Sequence, residues 1–302
     1  MSDWLDTFWA IYSNLVLTIG INALLALSIW LTLSCGLLAM ANAAFMGLGA
    51  YTASLLTINA GAPFPVAVLA GVALPTVVAL IVGLPTLRLS GVYLAMATLG
   101  FGEVVRIVLL NADSLTGGAL GLSGIPQLTQ WWHIVLAALV VLLVLRQLRR
   151  SRIGRALEAI KEDQVAASLM GVDVMAHKML AFALGAAIAG LAGALSAHLS
   201  SYIGPGEFGF DRGVDILTMT IFGGIGGLTG PVLGAAVITV LPELLRSFRD
   251  YRTMINGAIL VLVVLFLPKG LWDPARMRSW FGRKPSYAPT TGADSPSAEG
   301  PR

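Results

Sequence analysis

Apolar residues run through the first part of the chain without a break: between Thr7 and Leu87 there is no Asp, Glu, Lys, Arg or His. A helix needs about 20 residues to cross a bilayer, so that stretch holds roughly three crossings. The pattern predicts spans over residues 9–40, 42–60 and 66–84, the last closed by Pro85 and Arg88. Further spans follow at 92–110, 131–148 and 179–202, then at 232–245 and 253–267. Residues 216–225 are too few to cross comfortably and run into a glycine-rich stretch, which predicts a short or broken helix. The expected fold is all-α: a polytopic membrane helix bundle of about eight to nine transmembrane segments.

Two polar intervals interrupt this pattern. Residues 111–130 are rich in Gly, Ser and Pro and predict a loop. Residues 151–178 are charged and periodic. Placed on one helix over 152–167, Ile153, Ala156, Leu157, Ile160 and Ala167 fall on one face and Arg152, Arg155, Glu158, Lys161 and Glu162 on the other. That is a surface helix, and Gly171 supplies its stop.

Composition agrees. Of 302 residues 57% are hydrophobic and 12% charged, against about 25% charged in soluble domains. The formal charge of +3 is concentrated in basic clusters at 146–161 and 269–284. Such clusters mark cytoplasmic loops of membrane proteins and are not read here as nucleic-acid sites. With both clusters inside, the short 216–225 segment must count as a crossing, the N-terminus lies outside and the C-terminus is cytoplasmic. Arg246, Arg249 and Arg252 would then face outward, against the charge rule. The acidic N-terminus lacks a signal-peptide pattern, so the first span is expected to be retained. Residues 1–284 form the membrane domain, with a polar loop at 149–178, and the Pro- and Ser-rich 285–302 a disordered cytoplasmic tail.

No catalytic or metal constellation stands out: His133, His177 and His198 lie on different segments, and there is no P-loop. Cys35 is the only cysteine and reads as a packed residue. Glu103 and Arg106 sit inside a predicted span at i,i+3, where they pair to lock the bundle or line a polar path. Milder path candidates are Asn22, Asn42, Tyr51, Tyr93, Thr98, Thr218 and Thr220. The pairs Gly47/Gly49, Gly100/Gly102 and Gly190/Gly193 predict close helix contacts, and the segment at 204–213 a surface turn.

Residues 165–171, VAASLMG, resemble the EAA-x-x-x-G loop of ABC importer permeases, and they lie in a basic loop between spans, as in that family. The longer block SRIGRALEAIKEDQVAASLMGVDVMAHKMLAF resembles the LivM-type permeases of branched-chain amino acid importers. Three further blocks agree in order: ANAAFMGLGAYTASLL, LRLSGVYLAMATLGFGEVVRIVLLNADSLTGGALGLSGIP and IFGGIGGLTGPVLGAAVITVLPELLR with FLPKGLW. One departure is Val165 in the place of the motif's Glu, with Glu162 and Asp163 just before it.

The resemblance implies a bacterial inner-membrane, multi-pass subunit with no catalytic site of its own. It imports branched-chain or similar small amino acids alongside a second, different permease, two cytoplasmic ATPases that bind ATP and Mg, and a periplasmic solute-binding protein. No cofactor or metal is expected on this chain. The helix at 152–167 is then the coupling helix, with Gly154, Arg155, Ala156, Glu158, Ala159, Glu162, Ala166, Ala167 and Gly171 as its ATPase-facing residues. Relatives for urea, short amides and other small acids share the architecture. A secondary transporter working alone is the rival from another class, and an integral membrane enzyme would need acid–base or metal clusters that the spans lack.

Overall fold

The computed structural model describes residues 2–244. The expected span at 253–267, the arginines at 246, 249 and 252, the second basic cluster and the tail lie outside them. The helices are α1 (Ser2–Leu33), α2 (Asn42–Asn59), α3 (Phe64–Thr86), α4 (Val92–Asn111), α5 (Asp113–Thr116), α6 (Trp131–Arg150), α7 (Arg152–Glu162), α8 (Gln164–Leu169), α9 (Val174–Ser200), α10 (Phe210–Gly223) and α11 (Thr229–Leu244). Two short strands, β1 (Leu122–Ser123) and β2 (Tyr202–Ile203), pair antiparallel. Among the described residues, five helices are long and apolar enough to cross a membrane: most of α1, and α3, α4, α6 and α9.

The bundle is built around α9. Its small residues let neighbouring backbones come close, which is how helices pack where lipid offers no hydrophobic drive. A Cβ on Gly193 would overlap the Met46 carbonyl of α2, and one on Gly190 would lie 2.8 Å from Pro75 Cγ of α3. Gly49 meets Gly190 in turn, and Gly47 lies under the Phe208 ring. The third expected pair behaves differently. Gly100 has open space where a Cβ would stand, and Gly102 reaches only Ala44 at 4.0 Å. Gly100 lies on the side of α4 that the bundle leaves uncovered, and Gly102 faces α2 without close contact.

Two expected boundaries shift. α3 continues through Pro75 and Pro85 to Thr86. A proline deletes one helical hydrogen bond, but a packed neighbouring helix keeps the turn in place, and Pro75 is buried against α9. The sixth expected span begins at Val174, where Asp173 Oδ1 accepts the Ala176 N–H at 3.0 Å. That start draws Lys178 into α9, where it is buried and its Nζ donates to Gln164 Oε1 at 2.8 Å.

The two ends of the bundle are distinct. At one, the last turns of α1 and α6 meet the loop after α10: Trp30 Nε1 donates to the Ile225 carbonyl at 2.9 Å and Arg149 Nη2 to the Gly226 carbonyl at 3.1 Å. At the other, β1 and β2 pair, and Thr129 Oγ1 donates to the Leu195 carbonyl at 3.0 Å. The chain therefore travels from β2 at one end to Gly223 at the other through a 3-10 turn, Pro205–Phe208, and the 14-residue α10. The short segment expected at 216–225 is the second half of this passage. Irregular backbone is anchored there on one side by protein, where Phe208 is 2% exposed and packs on Gly47 and Tyr51, while Gly206, Glu207, Phe210 and Asp211 stay exposed on the other.

Candidate coupling helix and interior polar groups

α7 turns off the end of α6 at Ser151, whose Oγ accepts the Gly154 N–H at 3.3 Å. Residue 154 has to be glycine at this corner, since a Cβ would stand 2.7 Å from Arg149 Cα and from its carbonyl oxygen. Leu157 and Ile160 are buried and Ile153 packs against the core. Arg152, Arg155, Glu158, Ala159, Lys161 and Glu162 are exposed, so the amphipathic split read from the sequence holds over this helix. α7 packs on α6 and α9, and Lys161 lies against Gly36 in the turn after α1. Between α7 and the bundle runs a groove lined by Trp30, Leu31, Leu145, Leu148, Ile225 and Gly226, so α7 borders the glycine-rich loop across it.

The single helix expected over 152–167 is two. Asp163 is extended (φ −153, ψ 114) and ends α7. Its Oδ1 accepts the Val165 N–H at 2.8 Å and the Ala166 N–H at 3.0 Å, which starts α8 in a new direction. A capping carboxylate offers both backbone donors a better partner than continued α7 geometry would. Gly171 then stops α8 at φ +83, with nothing near its would-be Cβ.

The break re-sorts the expected contact residues. Gly154 and Ala156 are half-buried, Ala166 and Gly171 are exposed, and Ala167 turns inward at 5% exposure, so it belongs to the seat and not to the outer face. In its place α8 presents Val165, Leu169 and Met170, exposed 68%, 82% and 85%. Leu169 and Met170 were missed from the sequence, where an apolar residue beside a membrane span reads as more core. Their signal is their position at the end of a capped turn that Gly171 closes.

The interior candidates separate by environment. Thr98 Oγ1 accepts the Met40 N–H at 3.0 Å and ties α4 to the chain before α2. Thr218 donates to Val214 within its own helix, whereas Thr220 reaches the Ala26 carbonyl of α1 at 3.1 Å. Asn42 Nδ2 donates to Ser28 Oγ at 2.8 Å. Its Oδ1, the Tyr51 hydroxyl and the Ser54 hydroxyl are buried without a hydrogen-bond partner among the described residues. Tyr93 is 73% exposed on the outside of α4 and is not gathered with the others.

Glu103 and Arg106 do pair, Nε to Oε2 at 2.8 Å. The carboxylate does more than that, since Glu103 Oε1 accepts the Phe210 N–H at 3.3 Å and so caps the start of α10. A negative charge at a helix N-terminus is favourable, and here it fixes where the broken passage turns helical. A second polar cluster lies deeper. Asn22 Oδ1 accepts from Arg212 Nη2 at 2.7 Å, and its Nδ2 donates to Thr239 Oγ1 at 2.8 Å, joining α1, α10 and α11. The segment expected to be a surface turn keeps Gly206, Glu207, Phe210 and Asp211 at the surface and is pinned to the bundle by Phe208, which finds a seat against α2.

His133 and His198 are both structural. His133 Nδ1 accepts the Gln130 N–H at 3.0 Å in a capping box at the start of α6. His198 is buried, its Nδ1 donating to the Ala194 carbonyl at 2.8 Å and its Nε2 lying 2.9 Å from the Thr57 hydroxyl. Both rings stand edge-on to Phe64.

Comparison with known proteins gives one family. The family model described as "Branched-chain amino acid transport system / permease component" matches residues 11–264. The high-affinity branched-chain amino acid transport system permease protein LivM of Salmonella typhimurium is 33% identical over 296 residues, covering 87% of this chain and 68% of the relative. LivM of Escherichia coli K12 matches to the same extent. The Salmonella typhimurium LivH permease is 31% identical over 178 residues, 58% of this chain and 57% of the relative. No solved structure matches.

Proposed function

The chain belongs to the branched-chain amino acid transport permease family, and from that premise we propose that it is a membrane-spanning subunit of an ATP-binding-cassette importer that passes branched-chain or similarly small amino acids into the cytoplasm. A periplasmic binding protein delivers the solute, and separate ATPase subunits bind ATP and Mg and do the hydrolysis. The basic end of α6 and α7 faces the cytoplasm, as the cluster from Arg146 to Lys161 requires.

The observation that carries this reading is the seat of α7. An amphipathic helix outside the spans, packed on α6 and α9 and touching the turn after α1, can pass a push to these helices, and the bonds from Trp30 and Arg149 carry it on to the loop between α10 and α11. The ATPase meets the exposed Arg155, Glu158, Ala159 and Glu162 of α7 and the Val165, Leu169 and Met170 surface of α8. Closure of the ATPase pair on ATP binds this surface differently from the open pair, and that difference in free energy moves the bundle. With Val165 exposed where the general motif has Glu, this part of the contact is apolar. Glu103, Arg106, Asn42, Tyr51, Thr98 and Thr218 stand on or near the polar route through the membrane domain; Tyr93 serves the outer face of α4 instead.

Reconstitution tests the reading. Proteoliposomes holding both permeases, the ATPases, ATP and loaded binding protein accumulate amino acid, and omission of the ATPases abolishes uptake. Uptake by this chain alone would refute it.

A further inference from the structure

Three helices leave wide faces uncovered, and their chemistry differs. On α6 the uncovered residues are Val135, Leu136, Leu139, Val140, Leu143 and Val144, with Trp131 and Trp132 at one end. On α3 they include Val66, Leu69, Val77, Ile81 and Leu84. Both faces are uniformly branched or aliphatic, and tryptophans at one end of such a face suit the membrane interface. These faces match hydrocarbon.

The face of α4 does not. Met96, Val104 and Ile107 share it with the open Gly100 and with Glu103 and Arg106, whose side chains are 39% and 32% exposed. Glu103 lies about 16 Å from the start of α4 and about 12 Å from its end, at 1.5 Å per residue, which is mid-depth in the helix. The adjoining chain adds exposed Glu207 and Asp211 around the seat of Phe208, itself packed on the middle of α2. Each charge left in hydrocarbon at that depth costs about 2.5 to 3.5 kcal/mol on insertion scales. Lipid therefore cannot be what covers this face.

We propose that the face formed by α4 and the start of α10 is where this chain meets a second membrane domain of its own family, and that the charged patch there lines a water-filled passage between the two, while α3 and α6 face lipid. The proposal rests on the reading of the chain as one of a pair of permeases. The apolar residues on either side of the patch, Met96 on one side and Ile107 on the other, make the dry contacts that close the passage from lipid, and Gly100 lets the partner's backbone approach.

The test uses the intact importer in membranes, with a photo-reactive benzoylphenylalanine placed one at a time at Tyr93, Met96 or Val104 of α4 and at Ile81 or Leu139 of the two apolar faces. All five side chains are exposed, so folding is undisturbed, and co-purification of the second permease reports assembly for each variant. The expected result is cross-linking to the second permease several-fold stronger from the α4 positions than from Ile81 or Leu139. Cross-links to the second permease from Ile81 or Leu139, with lipid adducts from α4 in an assembled complex, would overturn the assignment and leave the paired reading standing. Failure of any second permease to co-purify would overturn both.

Discussion

Asp163 makes the junction between α7 and α8, and its replacement by alanine separates two roles for a carboxylate in the polar loop. Asp163→Ala removes one acceptor for two backbone N–H groups, at 2.8 and 3.0 Å. Loss of an N-cap costs about 1 kcal/mol, within a range of roughly 0.5 to 2, and 1 kcal/mol is a factor of about 5 in an equilibrium constant. α8 has six residues, too few to hold itself, since isolated helices below about 12 residues are marginal in water. Its ratio of formed to unformed states therefore falls about five-fold. Amide hydrogen exchange over residues 166–170 should speed up by as much as that factor, and ATPase association should weaken in step. Asp163→Asn keeps the cap, because asparagine serves the position as well as aspartate, and should behave as the unmodified protein. If the ATPase reads the charge itself, the asparagine variant will bind as weakly as the alanine one. That outcome, or unchanged exchange in Asp163→Ala, refutes the capping argument.

Other consequences are equally open to measurement. Gly193→Leu drives a side chain into the Met46 carbonyl at the α2–α9 contact and should destabilise the protein by at least about 1–3 kcal/mol, read as a lower thermal midpoint in detergent; an unchanged midpoint contradicts the packing. Trp30→Phe keeps the ring's bulk but removes the bond to the Ile225 carbonyl, worth about 1 kcal/mol. Transport per ATP hydrolysed should fall while ATPase binding persists, and unaltered stoichiometry would sink the α1 relay. Burial in the turn after α1 pushes the Cys35 thiol up to about 12, so at pH 8 almost none is thiolate. Maleimide should label it only after unfolding, and rapid labelling of the native protein would show the site to be open.

The glycine pairs show how far a pattern reaches. Spacing marked Gly47/Gly49, Gly100/Gly102 and Gly190/Gly193 alike, yet the first and third fill helix contacts and Gly100 opens onto a free face. A glycine makes close approach permissible, and only the neighbouring helix decides whether it happens. Glu103 and Arg106 were legible as a pair because i,i+3 spacing puts them together on any helix. The capping of Phe210 was not, since 107 residues separate donor from acceptor.

From the chain alone came the membrane character, most helix positions, the amphipathic face of α7 and the stop at Gly171, because each depends on hydrophobic period or local backbone preference. Tertiary structure alone decided that the amphipathic helix breaks at Asp163, that Ala167 faces inward while Leu169 and Met170 face out, and that residues 204–223 run along the bundle, anchored by Phe208. Those outcomes turn on which surface a neighbouring element covers. Residues distant in sequence supply that cover, and no periodicity along one segment encodes it.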